Sequence, residues 1–448
     1  MADIQKPSSI FGELLFPNIF YSFKVAIHPQ SLIIASLAVC LIWITGTIMD
    51  FTRKTVVISG TNTNELSVYI SNPTRLKSYI QQQQERDQHQ GVFKTMSSFG
   101  FKKAHLAIDA LLTFNITRMV KEVAEYVKSI TWSFKYHMIY CVIFFIIKLV
   151  IISIAGGALC RRAALKFSQN QQVGVIEALM FSLKRFKVFI TAPLTPVAII
   201  LCLGFIIVFL FGLITNIPFV GEIAVLFFLP LQLLAGGIMT YLVVGAIAGF
   251  ALLFPSIAYD GSDSFDSMNR SLGYIYGKPL RLAFYAIIAT VYGAICYMFV
   301  RLFAFLMIVQ TRGFMELAVF TNNRAGNAGK LDAIWPEPSF MNLLGKTGLV
   351  ETNFSEGASG FVIRLVLLLI SGVVISFAVS YYFSASTVIY SLMRKQIDNT
   401  DIHEVYLEED DSETIELTTE DKKNVENGGE KTNAEADYPE EEENIAPQ

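Results

Sequence analysis

An all-α polytopic membrane protein is the fold class this sequence predicts, and three observations carry that prediction. Six apolar runs are long enough to cross a bilayer, charged residues make up only 16% of the chain, and positive charge gathers in short segments between the runs. A soluble globular chain carries about 25% charged residues, so the shortage marks lipid as the solvent for most of these 448 residues.

A hydrocarbon core of about 30 Å takes about 20 apolar residues as helix. The runs 31–49, 137–160, 189–215, 222–258, 282–309 and 361–391 meet that length. As one helix, the 37-residue run 222–258 would reach about 55 Å at 1.5 Å per residue. It must therefore tilt, break near Pro230 or Gly236–Gly237, or fold into a hairpin. Positive charge selects among these. Segment 161–188 carries Arg161, Arg162, Lys166, Lys184, Arg185 and Lys187, segment 259–281 carries Arg270, Lys278 and Arg281, and Arg394–Lys395 follow the last run. Short basic loops stay cytoplasmic. All three lie on one side only if 222–258 crosses once, which gives about six spans with both termini inside.

The remaining segments follow from that topology. Residues 1–30 hold three prolines and mixed aromatic residues and read as an interfacial segment, with no cleavable signal peptide. Residues 50–136 form an extracytoplasmic insertion, mixed or helical. Within it Val56–Ser71 reads as strand or irregular, Gln81–Gln84 as an exposed turn of helix or a flexible loop, and the spacing of Ile108, Leu112, Ile116, Met119, Val123 and Val127 predicts an amphipathic helix from about Lys103. The outer segment 311–360 reads as a compact, mostly irregular cap. Residues 392–448 form the cytoplasmic tail. From Asp401 it holds 18 acidic residues and three lysines, and such dense like charge predicts disorder. The rest of the chain is basic, at a net +12 against −15 for the tail, as expected of charge flanking membrane helices. Because the basic residues are scattered over several loops, no nucleic acid partner is expected.

The core from 137 to 310 contains a weak internal repeat. Glu177-Ala178-Leu179-Met180-Phe181-Ser182 and Asp266-Ser267-Met268-Asn269-Arg270-Ser271 each place a Ser five residues after an acid, then basic residues, a Pro and an apolar run. An interfacial helix preceding a span explains the pattern, whether it arose by duplication or by convergence.

Asn216 to Tyr285 also carries a family resemblance. Ile217-Pro218-Phe219-Val220-Gly221-Glu222, the turn Asp260-Gly261-Ser262-Asp263-Ser264-Phe265-Asp266-Ser267-Met268-Asn269-Arg270-Ser271, and Lys278-Pro279 resemble a family of uncharacterised bacterial multi-pass membrane proteins. Asp260 stands where that family usually has Glu, and Ser267 where it usually has Ala. The resemblance implies a bacterial inner-membrane location and brings no activity, catalytic residue or cofactor with it.

The polar residues that could carry chemistry are few. Asp260, Asp263 and Asp266 recur every three residues, which suggests a hard-cation loop, but Gly261 is misplaced for one and no bidentate Glu follows. Capping is the simpler account: Asp263 or Ser264 starts a helix, Asp266 sits near its positive end, and Arg270 pairs with an acid, with Ser271 completing the cluster. Lys148 and Arg301 fall inside apolar runs, where charge is costly and often functional, and no acid lies at matching depth. Gly237, Gly245 and Gly249 share a helix face, the last two as a GxxxG packing element. The five cysteines and five histidines show no metal or disulfide spacing, and no hydrolase or nucleotide-binding motif occurs.

These features favour a non-enzymatic structural, scaffold or accessory subunit of a membrane complex. Its partners would be membrane lipids and proteins docked by the acidic tail and the outer domain. A transporter with a mid-membrane polar path is the alternative, and an intramembrane lipid-acting enzyme is a third reading.

Overall fold

A computed structural model describes residues 15–52, 57–58, 64–83, 89–318, 330–345 and 353–406. It is almost wholly helical, and five of its helices are long and apolar enough to cross a membrane. Residues 407–448, the greater part of the acidic tail read as disordered, lie outside the described residues.

The chain opens with a short 3-10 turn at Phe16–Phe20 and α1 (Tyr21–Ala26), then α2 (Pro29–Thr52). The described part of the opening segment, read from composition as interfacial, packs against other helices. Ile19, Val25 and Ala26 are buried, Phe20 meets Tyr292 and Phe23 meets Phe377 edge-on, and Ser380 Oγ donates to Ala26 O at 2.9 Å.

The described residues of segment 50–136, expected to be an extracytoplasmic insertion, are mainly helical. Val57–Ile58 and His89–Gln90 pair as a two-residue antiparallel ribbon. Between them stand α3 (Glu65–Ser71) and α4 (Leu76–Gln83). Within Val56–Ser71 the strand reading therefore fails over Glu65–Ser71, which is helix, while residues 56 and 59–63 lie outside the described residues. Asn64 and Ser67 form a reciprocal capping box that starts α3. The amphipathic pattern from Lys103 belongs to two helices rather than one, α5 (Val92–Leu112) and α6 (Ile116–Tyr136), packed as a hairpin. The break falls where Phe114 takes φ +54°, a strained conformation for a bulky residue, and where the Asn115 side chain accepts the Arg118 N–H at 3.0 Å. Both helices keep the 3.6-residue period, so the break leaves no mark on it.

α7 (Met138–Gln169) follows, then α8 (Val175–Lys184), α9 (Phe186–Thr191), α10 (Leu194–Ile207) and α11 (Leu213–Thr215). The run 189–215 is thus not one uniform span. A turn at Ala192–Pro193 separates α9, and a π-helical stretch at Val208–Gly212 joins α10 to α11. α12 (Val220–Asp260) is a single helix through Pro230 and Pro255. That rules out the hairpin and the break at Gly236–Gly237. α13 (Ser264–Gly277), α14 (Pro279–Ala318), α15 (Lys330–Ile334) and α16 (Phe354–Ile397) complete the chain.

Burial is concentrated at one end of the long helices. α7 from Ala155 to Leu165, α12 from Leu252 to Tyr259 and much of α16 from Phe377 to Met393 are buried. Gly156, Gly157, Ala158, Ala163 and Ala164 line the α7 side, and Ser380, Ser384, Ser386 and Ser391 the α16 side. Small residues let backbones approach where lipid offers no hydrophobic drive to association. Towards their other ends the helices expose Leu226, Phe227, Ile247, Phe303 and Phe361, side chains that water would not solvate and lipid does.

The two halves of the repeat pack alike. α8 folds back on α7 and α13 on α12. A Cβ on Gly157 would lie 2.4 Å from Ser182 Oγ, and one on Gly249 would lie 3.2 Å from Ser271 Cβ. In each half, a span glycine receives the Ser that stands five residues after the acid.

Candidate functional site

The C-terminal end of α12 is where the sequence-singled acids converge. Four carbonyls remain without intrahelical partners at such an end, and the helix dipole is negative there. Gly261 ends α12 in the left-handed region at φ +66°, its N–H on Ile257 O at 3.0 Å. A glycine suits that position because it has no Cβ to clash. Arg161 Nη1 donates to Ala258 O at 3.2 Å and Arg185 Nη1 to Gly261 O at 2.7 Å. Asp260 takes two further arginines, Arg270 Nη1 at 3.2 Å and Arg394 Nε at 3.0 Å, and accepts the Tyr390 hydroxyl. Its side chain is only 6% exposed. Four arginines from four parts of the chain therefore hold one helix end.

The neighbouring acids cap and orient. Asp263 Oδ1 accepts the Asp266 N–H at 2.7 Å as the N-cap of α13, and Asp266 pairs with Arg270 at 2.8 Å. Ser271 Oγ donates to Ser267 O at 2.8 Å. The cluster is thus a structural tie, and the cation-loop geometry is not realised. Among the described residues no group of three or more His, Cys, Asp or Glu is placed to hold a metal ion. Tyr274 donates to Asp398 Oδ2 at 2.5 Å, and burial together with that carboxylate raises its hydroxyl pKa above the usual phenol range.

The start of the acidic tail belongs to this cluster. Tyr259 donates to Ile402 O, Arg394 Nη1 donates to Glu404 O at 2.6 Å, and His403 Nδ1 meets Ser168 O. Residues 401–404, read from charge as the start of a disordered segment, are docked, because backbone carbonyls there meet donors that net charge does not register.

Arg161 and Arg162 correct a second expectation. They were placed in a loop, yet α7 continues through them and both are buried. Arg161 stacks over Phe181 at 4.4 Å. Arg162 donates to Gln30 Oε1 at 2.6 Å, to Val173 O, and to His28 Nδ1 at 3.2 Å. Adjacent arginines at the end of an apolar run read as the start of a basic loop because most of the groups that hold them are far away in sequence.

The two cations that fall inside apolar runs diverge. Arg301 is buried, and its Nε and Nη2 donate to Phe340 O at 3.0 and 2.8 Å. Its Nη1 donates to Tyr297 Oη at 3.2 Å, and the Tyr297 hydroxyl donates to His105 Nε2 at 3.1 Å. The remaining ring nitrogen of His105 donates to Phe101 O at 2.6 Å. This chain ties α5 to α14 and to the segment after α15. Lys148 forms no hydrogen bond or ion pair among the described residues and lines a cavity with Phe93, Tyr126, Phe134 and Phe144. Of the three glycines, Gly245 and Gly249 pack on α13, against Leu272 and Ile275, while a Cβ on Gly237 would meet nothing within 4 Å. No family model, curated protein or solved structure matches this chain.

Two histidines give the fold a pH dependence. Burial lowers the pKa of both His28 and His105, with Arg162 and Lys166 adding to the effect at His28 and Arg301 at His105. A folded-state pKa below the unfolded value means that the unfolded chain binds protons first as the pH drops. The stability from neutral imidazoles is therefore present above about pH 6.5 and lost below it. The unfolding midpoint in detergent should fall between about pH 7.5 and 5.5, and a His28→Asn, His105→Asn double variant should flatten that fall. An equally steep fall in the double variant would assign the dependence to other groups.

Proposed function

We propose that this protein is a non-enzymatic scaffold or accessory subunit of a bacterial inner-membrane complex, with about six spans and both termini in the cytoplasm. The observation that supports this reading is the use of its charged groups. Asp260, Arg161, Arg185, Arg270 and Arg394 are all engaged in tying α7, the end of α8, α13 and α16 to the end of α12, and Arg301 holds the segment after α15. Such ties build a rigid platform. The resemblance of the Asp260–Ser271 turn to a bacterial membrane family supports the location. The acidic tail beyond Tyr406 and the outer helices α3–α6 are the surfaces for protein partners.

The test compares the full chain with one ending at Tyr406, both tagged and purified in mild detergent. Ending there keeps Ile402 and Glu404 on their donors, so loss of a partner cannot be ascribed to a loosened core. A stoichiometric partner that leaves with the tail is the expected result. A partner held equally by both forms would move docking to the outer helices, and no stoichiometric partner with either form would reject the scaffold reading. The alternative, a transporter or permease-like subunit, needs a polar path at mid-membrane. Lys148 favours it, but the walls around that residue are largely aromatic and aliphatic.

A further inference from the structure

A cavity of about 740 Å³ lies between α2, α5, α6 and α7, away from the arginine cluster. That volume falls within the roughly 300–1,000 Å³ of small-molecule sites. Phe93, Phe101, Tyr126, Phe134, Phe144 and Phe145 form much of its wall, a surface suited to hydrocarbon. Two cations reach it. Lys103 is already neutralised, being 2.6 Å from Glu122 and paired also with Glu125. That group of one lysine and two glutamates keeps a net negative charge, which turns an anion away from that end.

Lys148 has no such counter-charge. It stands ten residues into α7, about 15 Å along the helix at 1.5 Å per residue, and is bonded to nothing among the described residues. An ammonium left in hydrocarbon without a partner is costly. The missing piece is an anion carried on an apolar body. We propose that the cavity binds one anionic lipid, an acyl chain lying along the aromatic wall and a carboxylate or phosphate head on Lys148 Nζ. The ligand is identified by charge and shape alone, so a free fatty acid and an anionic phospholipid both satisfy it.

The test places the full chain in phosphatidylcholine bilayers and adds spin-labelled palmitic acid, phosphatidylglycerol or phosphatidylcholine in turn. One motionally restricted anionic probe per protein is expected above the phosphatidylcholine background. Restriction of palmitate alone names a carboxylate head, and restriction of phosphatidylglycerol alone names a phosphate. Lys148→Met should lower the restricted anionic fraction at least tenfold, whereas Lys148→Arg should keep it. Ala104→Trp, at an exposed position on the cavity wall, should fill the space and abolish restriction while the helical circular dichroism stays unchanged. Equal restriction of phosphatidylcholine and the anionic probes, or an unchanged anionic fraction in Lys148→Met, would overturn the proposal. The Lys148 variants decide alone should Ala104→Trp fail to fold.

Discussion

Replacing Asp260 by Asn should destabilise the folded protein by about 3 kcal/mol, at the low end of the cost of removing one partner from a buried ion pair. Asp260 is nearly inaccessible and Arg394 is 12% exposed, whereas Arg270 is 38% exposed. The cost should therefore arise mainly from Arg394, which stays buried beside Tyr259 without its carboxylate, and water should screen most of the loss at Arg270. Unfolding followed by intrinsic fluorescence in detergent measures the change. Asp263→Ala makes the comparison, since it removes only the α13 N-cap and should cost about 1 kcal/mol. Limited proteolysis gives a second readout, because loosening Arg394 should also release residues 401–404. If Asp260→Asn costs no more than Asp263→Ala, the carboxylate is not the tie described above.

Gly157→Ala should destabilise by about 1–3 kcal/mol, the usual range for overpacking. The new methyl would lie 2.4 Å from Ser182 Oγ and 2.8 Å from the Phe189 ring, and neither group has room to retreat because both are buried. Gly237→Ala should do the opposite and stabilise by about 0.5–1 kcal/mol, since alanine loses less backbone entropy in a helix and nothing stands within 4 Å. The same pair of unfolding curves tests both. Equal effects would mean that the α7–α8 contact is looser than its geometry implies.

The two glycines illustrate what can be read along a chain. Gly237, Gly245 and Gly249 share one helix face by spacing, and spacing is local. Which of them meets another helix depends on where α13 lies, and α13 reaches only the last two. The acids behave similarly. Asp263 as an N-cap and the Asp266–Arg270 pair span three and four residues, so both were legible. The partnership of Asp260 with Arg394 and Tyr390 crosses more than a hundred residues and left no sequence signal. His105 shows no ligand spacing, and its partner Tyr297 is farther away still, 192 residues along the chain. Asn115 is a local signal for the α5–α6 break, a capping residue in the middle of an apparently continuous helical period.

By itself the sequence determined the solvent and the helices. Hydrocarbon demands long apolar segments whose backbone bonds are satisfied internally, and that demand is written in composition over about 20 residues at a time. It also set the local caps, the amphipathic helices before α10 and α14, and the placing of Lys148 and Arg301 inside apolar runs. The tertiary structure alone decided that α12 is one helix through two prolines, that Arg161 and Arg162 are core residues, and that Arg301 is satisfied while Lys148 is not. An arginine at the edge of an apolar run reads the same whether it meets a headgroup or the carbonyl of a distant helix. Only the packing that brings the carbonyl within 3 Å, as it does for Phe340 and Arg301, tells the two apart.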